Sequence, residues 1–156
     1  MTLKQSIISF VLSVSFLIVI GCGTSDPRTK GLVPAFGVLL YNGDPVGGAS
    51  IVFHHEDNTR QGGGATTNAD GSFTLRTYFS EGTYPGTYQV TVLKDEIISP
   101  MLSEEEANRL IQAGRELPPV ETRSLLPQKY RLKTTTDLQV VIPPGGDRNL
   151  IVELSD

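Results

Sequence analysis

The chain has few of the residues that usually carry chemistry: no tryptophan, one cysteine and two histidines among 156 residues. A single cysteine has no partner for an internal disulfide. Basic residues are outnumbered, with 13 Lys and Arg against 17 Asp and Glu and a formal net charge of −4. This balance argues against a nucleic-acid partner and against electrostatic binding to anionic lipid.

The lone cysteine stands directly after an apolar N-terminal run. Lys4 precedes the run, which extends over 7–20 and is followed by Gly21 and Cys22. The run is too short to span a bilayer comfortably as a single helix, which needs about 20 apolar residues. It is typical of a secretory signal peptide. An ordinary signal peptide without acylation and an uncleaved membrane anchor are the alternatives.

The stretch Leu17-Ile18-Val19-Ile20-Gly21-Cys22 resembles a lipobox, the sequence that lipoprotein signal peptidase reads. The resemblance implies transfer of diacylglycerol to the Cys22 thiol and cleavage between Gly21 and Cys22. It therefore implies a signal peptide over 1–21 and a membrane-anchored mature chain. With Cys22 acylated, no thiol remains for a metal site or a nucleophile. Without Lys4, the mature chain would have 12 basic and 17 acidic residues, a net charge of −5.

A polar segment follows the cysteine. Residues 23–34 are rich in Gly, Thr, Ser, Asp, Pro and Lys, so we predict a flexible tether over 22–34. Gly23 stands where an aspartate would suggest retention in the inner membrane of some diderm bacteria. The predicted location is therefore the cell envelope, facing the periplasm or the exterior, with the outer membrane favoured.

Residues 35–156 show the alternation of apolar and polar residues that is typical of strands with one buried face. Gly (16 residues) and Pro (10 residues) are plentiful and separate the alternating segments. The pattern predicts an all-β, antiparallel sandwich. The predicted inward-facing residues include Ala49, Ile51, Phe53, Phe73, Leu75, Thr77, Tyr88, Val90, Val92, Leu138, Val140, Ile142, Leu150, Val152 and Leu154.

One segment has helical rather than strand character. Ser103 and Glu106 form a capping-box pattern, apolar residues recur after it at helical spacing, and Gly114 suits the C-terminal end. We predict a short helix over 103–113 within an insertion at 95–119, lying on the sandwich or beside it. The acidic run 104–106 then serves the helix N-terminus and not a metal.

Three motifs together resemble a carboxypeptidase regulatory-like, or transthyretin-like, domain. They are a first hairpin at 37–53, a T-x-x-D-G-x-F turn at 67–73 and a G-x-Y-x-V-x-V strand at 86–92. With the lipobox and the P-x-K-Y stretch at 127–130, the chain is similar to small lipoproteins common in planctomycete bacteria. The resemblance implies a Greek-key sandwich that is an accessory or structural module without catalytic residues.

Other candidate sites have simpler explanations. His54 and His55 are adjacent on a predicted strand and would point to opposite faces, which disfavours a shared metal. The turn 68–71 lacks the later ligands of a calcium loop, and Gln61-Gly62-Gly63-Gly64 is a glycine-rich connection without the lysine of a phosphate loop. No Gly-x-Ser-x-Gly nucleophile elbow occurs. We therefore expect no catalytic, metal-binding or cofactor-binding residues.

The sequence thus predicts a non-enzymatic lipoprotein with a structural or interaction role at the cell envelope. Its expected partners are the membrane, through the lipid on Cys22, and an envelope protein or cell-surface polymer. The alternative is a carbohydrate- or peptide-binding module. In that case the loops at 55–64 and 77–84, with Tyr78, Phe79 and Tyr84, would form a stacking surface. A hydrolase or a metal-dependent enzyme is a third hypothesis.

Overall fold

A computed structural model describes residues 26–99 and 101–156. Within these residues the chain forms twelve strands and one α-helix. The elements are β1 (Ala35–Tyr41), β2 (Asp44–Pro45), β3 (Ser50–His55), β4 (Gly63–Thr66), β5 (Ser72–Thr74), β6 (Arg76–Thr77), β7 (Ser80–Glu81), β8 (Gly86–Leu93), β9 (Asp95–Ile97), α1 (Glu104–Gln112), β10 (Thr122–Ser124), β11 (Gln139–Ile142) and β12 (Asp147–Leu154).

Two sheets enclose the core and confirm the predicted all-β sandwich with one short helix. The first sheet is ordered β12-β1-β2, with β5 also paired to β1. The second is ordered β11-β8-β3-β4-β6-β7. Inward-facing side chains from both sheets meet between them, and the Phe53 ring lies 6.1 Å from that of Phe73 and 5.8 Å from that of Tyr88. Full burial of each large apolar side chain contributes about 1.5–3 kcal/mol.

The first and last strands pair in parallel, unlike the other paired strands in the described chain. Leu39 of β1 is opposite Val152 of β12, and both are buried. The remaining pairs are antiparallel, as predicted. Alternation of apolar residues shows which face of a strand is buried, but it does not distinguish parallel from antiparallel neighbours.

The predicted helix is present as α1, and both of its ends follow their predicted chemistry. Ser103 Oγ accepts a hydrogen bond from the Glu106 amide at 3.2 Å, and the Glu106 carboxylate accepts one from the Ser103 amide. At the other end Gly114 adopts φ +66°, and the amide of Arg115 donates to the carbonyl of Leu110. No residue of α1 is buried, so the helix flanks the sandwich.

The helix belongs to the segment 95–124, which we call the excursion. The chain leaves the sandwich at the start of this segment and returns to it, at nearly the same place, at the end. Strands β9 and β10 pair with each other, so the excursion runs five residues beyond the predicted insertion 95–119. At its base the Leu125 amide donates to the Lys94 carbonyl at 2.8 Å. Asp95 pairs with Arg131 at 2.5 Å and ties the base to the sandwich. The Arg131 side chain, through its hydrogen bond, holds the pKa of the Asp95 carboxyl below its usual range.

The predicted flexible tether over 22–34 overlaps the described residues from 26 onward, where the chain has regular structure and bonds to the sandwich. A 3₁₀ turn forms at Pro27–Thr29, capped by Asp26. Val33 and Thr83 then exchange two backbone hydrogen bonds of 2.8 and 3.0 Å. Low apolar content suggested a tether, but backbone groups can bond to the sandwich whatever the side-chain composition. The predicted signal peptide 1–21 and residues 22–25 lie outside the described residues. Among the described residues no helix is long and apolar enough to cross a membrane.

Candidate functional site

The residues assigned to processing and lipidation, Gly21 and Cys22, lie outside the described part of the chain. The structure does show where the chain enters the domain. The Tyr84 hydroxyl donates to the Arg28 carbonyl, and the Arg28 guanidinium carbon lies 5.1 Å from the centre of the Tyr78 ring. The N-terminal segment therefore packs at the end of the sandwich that carries the predicted stacking aromatics. We call Arg28, Tyr78, Phe79 and Tyr84 the aromatic end.

The tip of the aromatic end is a two-residue hairpin turn between β6 and β7. Tyr78 and Phe79 occupy it with φ angles of +52° and +66°. Two positive φ angles in such a turn favour Asn-Gly or Gly-Gly, and bulky aromatic residues adopt them at a cost of order 1–3 kcal/mol each. The Phe79 side chain gains no packing in return, since 98% of its surface is exposed. Backbone strain combined with an exposed aromatic ring marks this turn as a candidate functional element.

A polar cleft of about 470 Å³ lies beside the tip. The segment after β3 forms one wall, and the start of β6 forms the other. Its lining is rich in hydrogen-bonding side chains: His54, Asn58, Arg60, Gln61, Arg76, Tyr78 and Lys133. The two loops in which the sequence predicts a ligand surface are therefore adjacent. Of the three predicted aromatic residues, Tyr78 lines the cleft, Phe79 is almost fully exposed at a neighbouring recess, and Tyr84 is half-buried.

Cations are prominent around the aromatic end. The guanidinium carbon of Arg60 lies 5.3 Å from the centre of the Tyr84 ring, and Arg60 also pairs loosely with Asp57 at 3.6 Å. Burial, with a smaller contribution from the positive charge of Lys133, lowers the pKa of His54. The surface therefore combines aromatic rings with positive charge, although the whole chain is acidic.

The two histidines face opposite sides of β3, as predicted. The His54 ring lies on the outer face, with Nε2 2.9 Å from Thr91 Oγ1. His55 is buried; its Nδ1 accepts from the Asp57 amide at 2.9 Å, and its Nε2 is 3.2 Å from the Pro85 carbonyl. Since both nitrogens of His55 are bound to backbone groups, its role is to fasten two loops. Within 26–99 and 101–156, no group of three or more His, Cys, Asp or Glu side chains could hold a metal ion.

The other motifs have structural roles. Asp70 Oδ1 accepts from the amide and the hydroxyl of Ser72, at 3.0 and 2.7 Å, which fixes the turn before β5. Gly71 in this turn has φ +78°. The glycine-rich run predicted as a connection is partly strand, because Gly63 and Gly64 belong to β4. A Cβ at Gly62 would collide with the Phe53 carbonyl, so close backbone approach explains a glycine there.

The sequence reasoning missed an apolar groove of about 610 Å³ in the excursion. We call it the excursion groove. Its apolar lining consists of Ile97, Ile98, Met101, Leu102, Ala107, Leu117, Pro118, Pro119 and Val120. Met101 and Val120 are 87% and 66% exposed. The apolar residues before and after the helix were the only sequence feature that could have indicated this groove. They do not recur with the period of a strand or a helix, so the sequence does not show that they share one surface.

Comparisons with protein-family models, with curated proteins and with solved structures found no match.

Proposed function

We propose that the chain is an exported lipoprotein, anchored in a membrane of the cell envelope through lipid on Cys22. Its carboxypeptidase regulatory-like β-sandwich has a non-enzymatic structural or interaction role there. The observation that carries the proposal is the apolar run followed by Gly21 and Cys22, only six residues before Arg28, whose carbonyl is bound to the sandwich by the Tyr84 hydroxyl. A signal peptide in this position leaves a mature chain that consists almost entirely of the folded domain.

The lipid provides membrane affinity that the overall charge of the chain opposes. The mature chain has a net charge of −5, which opposes binding to an anionic membrane surface. Each CH₂ group buried in the bilayer contributes roughly 0.8 kcal/mol, so two or more acyl chains on Cys22 would anchor the protein stably. In the interaction role the sandwich presents two surfaces at the envelope, the aromatic end and the excursion groove.

The chemistry of the polar residues supports a non-enzymatic role. His55 is committed to backbone hydrogen bonds, and Asp70 is committed to a turn. His54 has only Thr91 as a hydrogen-bond partner among the described residues. A histidine that acts as a general base is usually oriented by a third group such as a carboxylate, and the Thr91 hydroxyl is not one. His55 and Asp70 are therefore occupied by the fold, and His54 has no carboxylate partner among the described residues.

Radiolabelled palmitate tests the proposal directly. Cells that make the wild-type chain should incorporate label into it, and cells that make Cys22→Ala or the closer isostere Cys22→Ser should not. Mass spectrometry of the mature N-terminal peptide should show acylated Cys22 and no residue before it. Equal labelling of wild type and both variants would overturn the proposal.

A further inference from the structure

We propose that the aromatic end rests on the same bilayer that holds the Cys22 lipid, with the Tyr78-Phe79 tip in the membrane interface. The sandwich is then oriented, with β6 and β7 toward the membrane and the β1–β2 turn away from it. The inference rests on the proposed acylation of Cys22 and adds a second point of contact. The occupant of the surface is a lipid bilayer.

The length of the chain restricts the distance between lipid and tip. Arg28 is six residues after Cys22, and an extended chain covers at most about 3.6 Å per residue, which is about 22 Å here. Arg28 is itself fastened to the tip, because its carbonyl accepts from the Tyr84 hydroxyl and its guanidinium covers the Tyr78 ring. The acyl chains therefore keep Arg28, and with it the aromatic end, within about 22 Å of the membrane.

The side chains of this end suit the interface between water and lipid. Phe79 projects with 98% of its surface exposed, so it can enter the bilayer without any change in the fold. Tyr78 and Tyr84 combine an apolar ring with a polar hydroxyl, which is the character enriched at membrane interfaces. Membrane contact also gives a reason for the strained turn. Asn-Gly would form the turn without strain, but it would not present an aromatic ring to the bilayer.

The charges agree with this orientation. Arg28, Lys30, Arg60, Arg76 and Lys133 lie at or beside the aromatic end, against four acidic residues, Asp26, Glu56, Asp57 and Glu81. The rest of the mature chain supplies the acidic excess. The acyl chains bring the protein to the membrane, so the local positive charge needs only to orient it. An anionic bilayer would attract this end and repel the others.

A bilayer explains the tip better than a glycan does. A glycan-binding aromatic presents its ring face across a cleft, so that hydrogen-bonding groups can contact the sugar beside it. The Phe79 ring is instead almost fully exposed, and the recess that it borders with Gln61, Arg76 and Tyr78 is mainly apolar, whereas most of the polar groups line the neighbouring cleft. An exposed ring at the tip of a hairpin can insert into a lipid bilayer without a change in the fold.

A fluorescent reporter at Ser80, beside the tip, tests the inference. The full acylated chain carrying Ser80→Cys is purified from cells and reconstituted in vesicles of phosphatidylethanolamine and phosphatidylglycerol. Because Cys22 sulfur is consumed by the lipid, an environment-sensitive thiol dye labels only the introduced cysteine. The matched control is Asp44→Cys, in β2 directly after the turn at the far end of β1, a strand about 23 Å long. We expect a blue shift and quenching by brominated lipid at position 80, and neither at position 44.

A tip variant isolates the aromatic rings. Tyr78→Asn with Phe79→Gly places the preferred residues in this turn, so the variant should fold at least as well as the parent. On vesicles, its label at position 80 should lose most of the blue shift and quenching. Water-like emission at position 80 in the parent, from protein that carries the lipid and floats with the vesicles, would overturn the inference and leave the proposed function standing. If soluble glycan fragments then changed that emission, the surface would belong to a glycan. A chain without lipid would overturn both.

Discussion

The Tyr88 hydroxyl donates a hydrogen bond of 2.6 Å to the Tyr84 carbonyl and joins β8 to the loop that supports the aromatic end. It also lies 2.9 Å from Thr83 Oγ1, and Thr83 in turn lies 3.3 Å from Thr77 Oγ1. Burial raises the pKa of the Tyr88 hydroxyl, which remains a protonated donor at neutral pH. This buried network is how the sandwich holds β6 and its strained turn in one position.

Removal of the Tyr88 hydroxyl should therefore destabilise the fold. We expect Tyr88→Phe to lower the free energy of unfolding by about 1–3 kcal/mol, because the Tyr84 carbonyl and the Thr83 hydroxyl each lose a partner. Urea denaturation followed by circular dichroism measures the change. Tyr41→Phe is the control, because the Tyr41 hydroxyl bonds to Asp156 at the exposed surface. Equal losses in the two variants would contradict a special role for the buried network.

Much of this fold follows from local sequence signals. Alternating apolar residues predict β3, β8 and β12 because strands with one buried face have a period of two. The helix is predicted because capping is a local interaction between residues three apart. The turn at Asn68–Gly71 is predicted for the same reason, since its side-chain bonds span only two to four residues.

Features that depend on distant contacts were not predictable. The parallel pairing of β1 with β12 joins segments more than a hundred residues apart, and nothing in either segment specifies its neighbour. The docking of 26–34 depends on backbone groups of Val33 and Thr83, which every residue type provides. At the aromatic end, the sequence predicts that the three aromatic residues lie in loops at one end of the sandwich. It does not predict the positive φ angles of Tyr78 and Phe79, because turns of this type favour other residues there.

The contact between Gly86 and His55 leads to a second prediction. A Cβ at Gly86 would collide with the His55 ring, and Gly86 has φ +151°. We expect Gly86→Ala to cost about 1–3 kcal/mol, the usual range for overpacking a buried site. A double-mutant cycle with His55→Ala checks the cause. The cost of Gly86→Ala should be smaller when His55→Ala has already removed the ring, and strictly additive effects would contradict the steric explanation.

His54 should make stability depend on pH near neutrality. Burial and Lys133 lower its pKa in the folded state, whereas an unfolded histidine titrates near 6.5. The unfolded chain therefore binds the proton more readily than the folded chain. Stability is complete above about pH 6.5 and is lost as the pH falls through the folded-state pKa. Asp57 and Asp70, whose pKa values are lowered by hydrogen bonds from Thr59 and Ser72, lose their contribution only below about pH 4.

The His54→Gln variant separates this effect from others. Glutamine keeps a side-chain group able to reach Thr91 but does not titrate. Free energies of unfolding measured between pH 5.5 and pH 7.5 should decline toward acid in the wild type and change less in His54→Gln. The same decline in both proteins would show that another group is responsible.

The excursion should be removable without loss of the sandwich. Lys94 and Leu125 are joined by a hydrogen bond from the Leu125 amide to the Lys94 carbonyl. This is the bond that closes a four-residue β-turn, so Asn-Gly can replace 95–124. No α1 residue is buried, and the principal side-chain link lost is the partly exposed, bidentate ion pair of Asp95 with Arg131, which at the upper end of the range for surface pairs is worth about 1 kcal/mol.

We therefore expect the shortened chain to unfold cooperatively with a melting temperature within about 8 °C of the parent, the shift that roughly 1 kcal/mol produces in a domain of this size. Removal of the excursion groove should also reduce binding of an apolar dye such as ANS. Leu126→Ala is the contrasting change just beyond the excursion, because Leu126 is buried in the core and its truncation should cost about 2–5 kcal/mol. If the shortened chain failed to fold while Leu126→Ala remained stable, the excursion would be part of the structural core and not an addition to its surface.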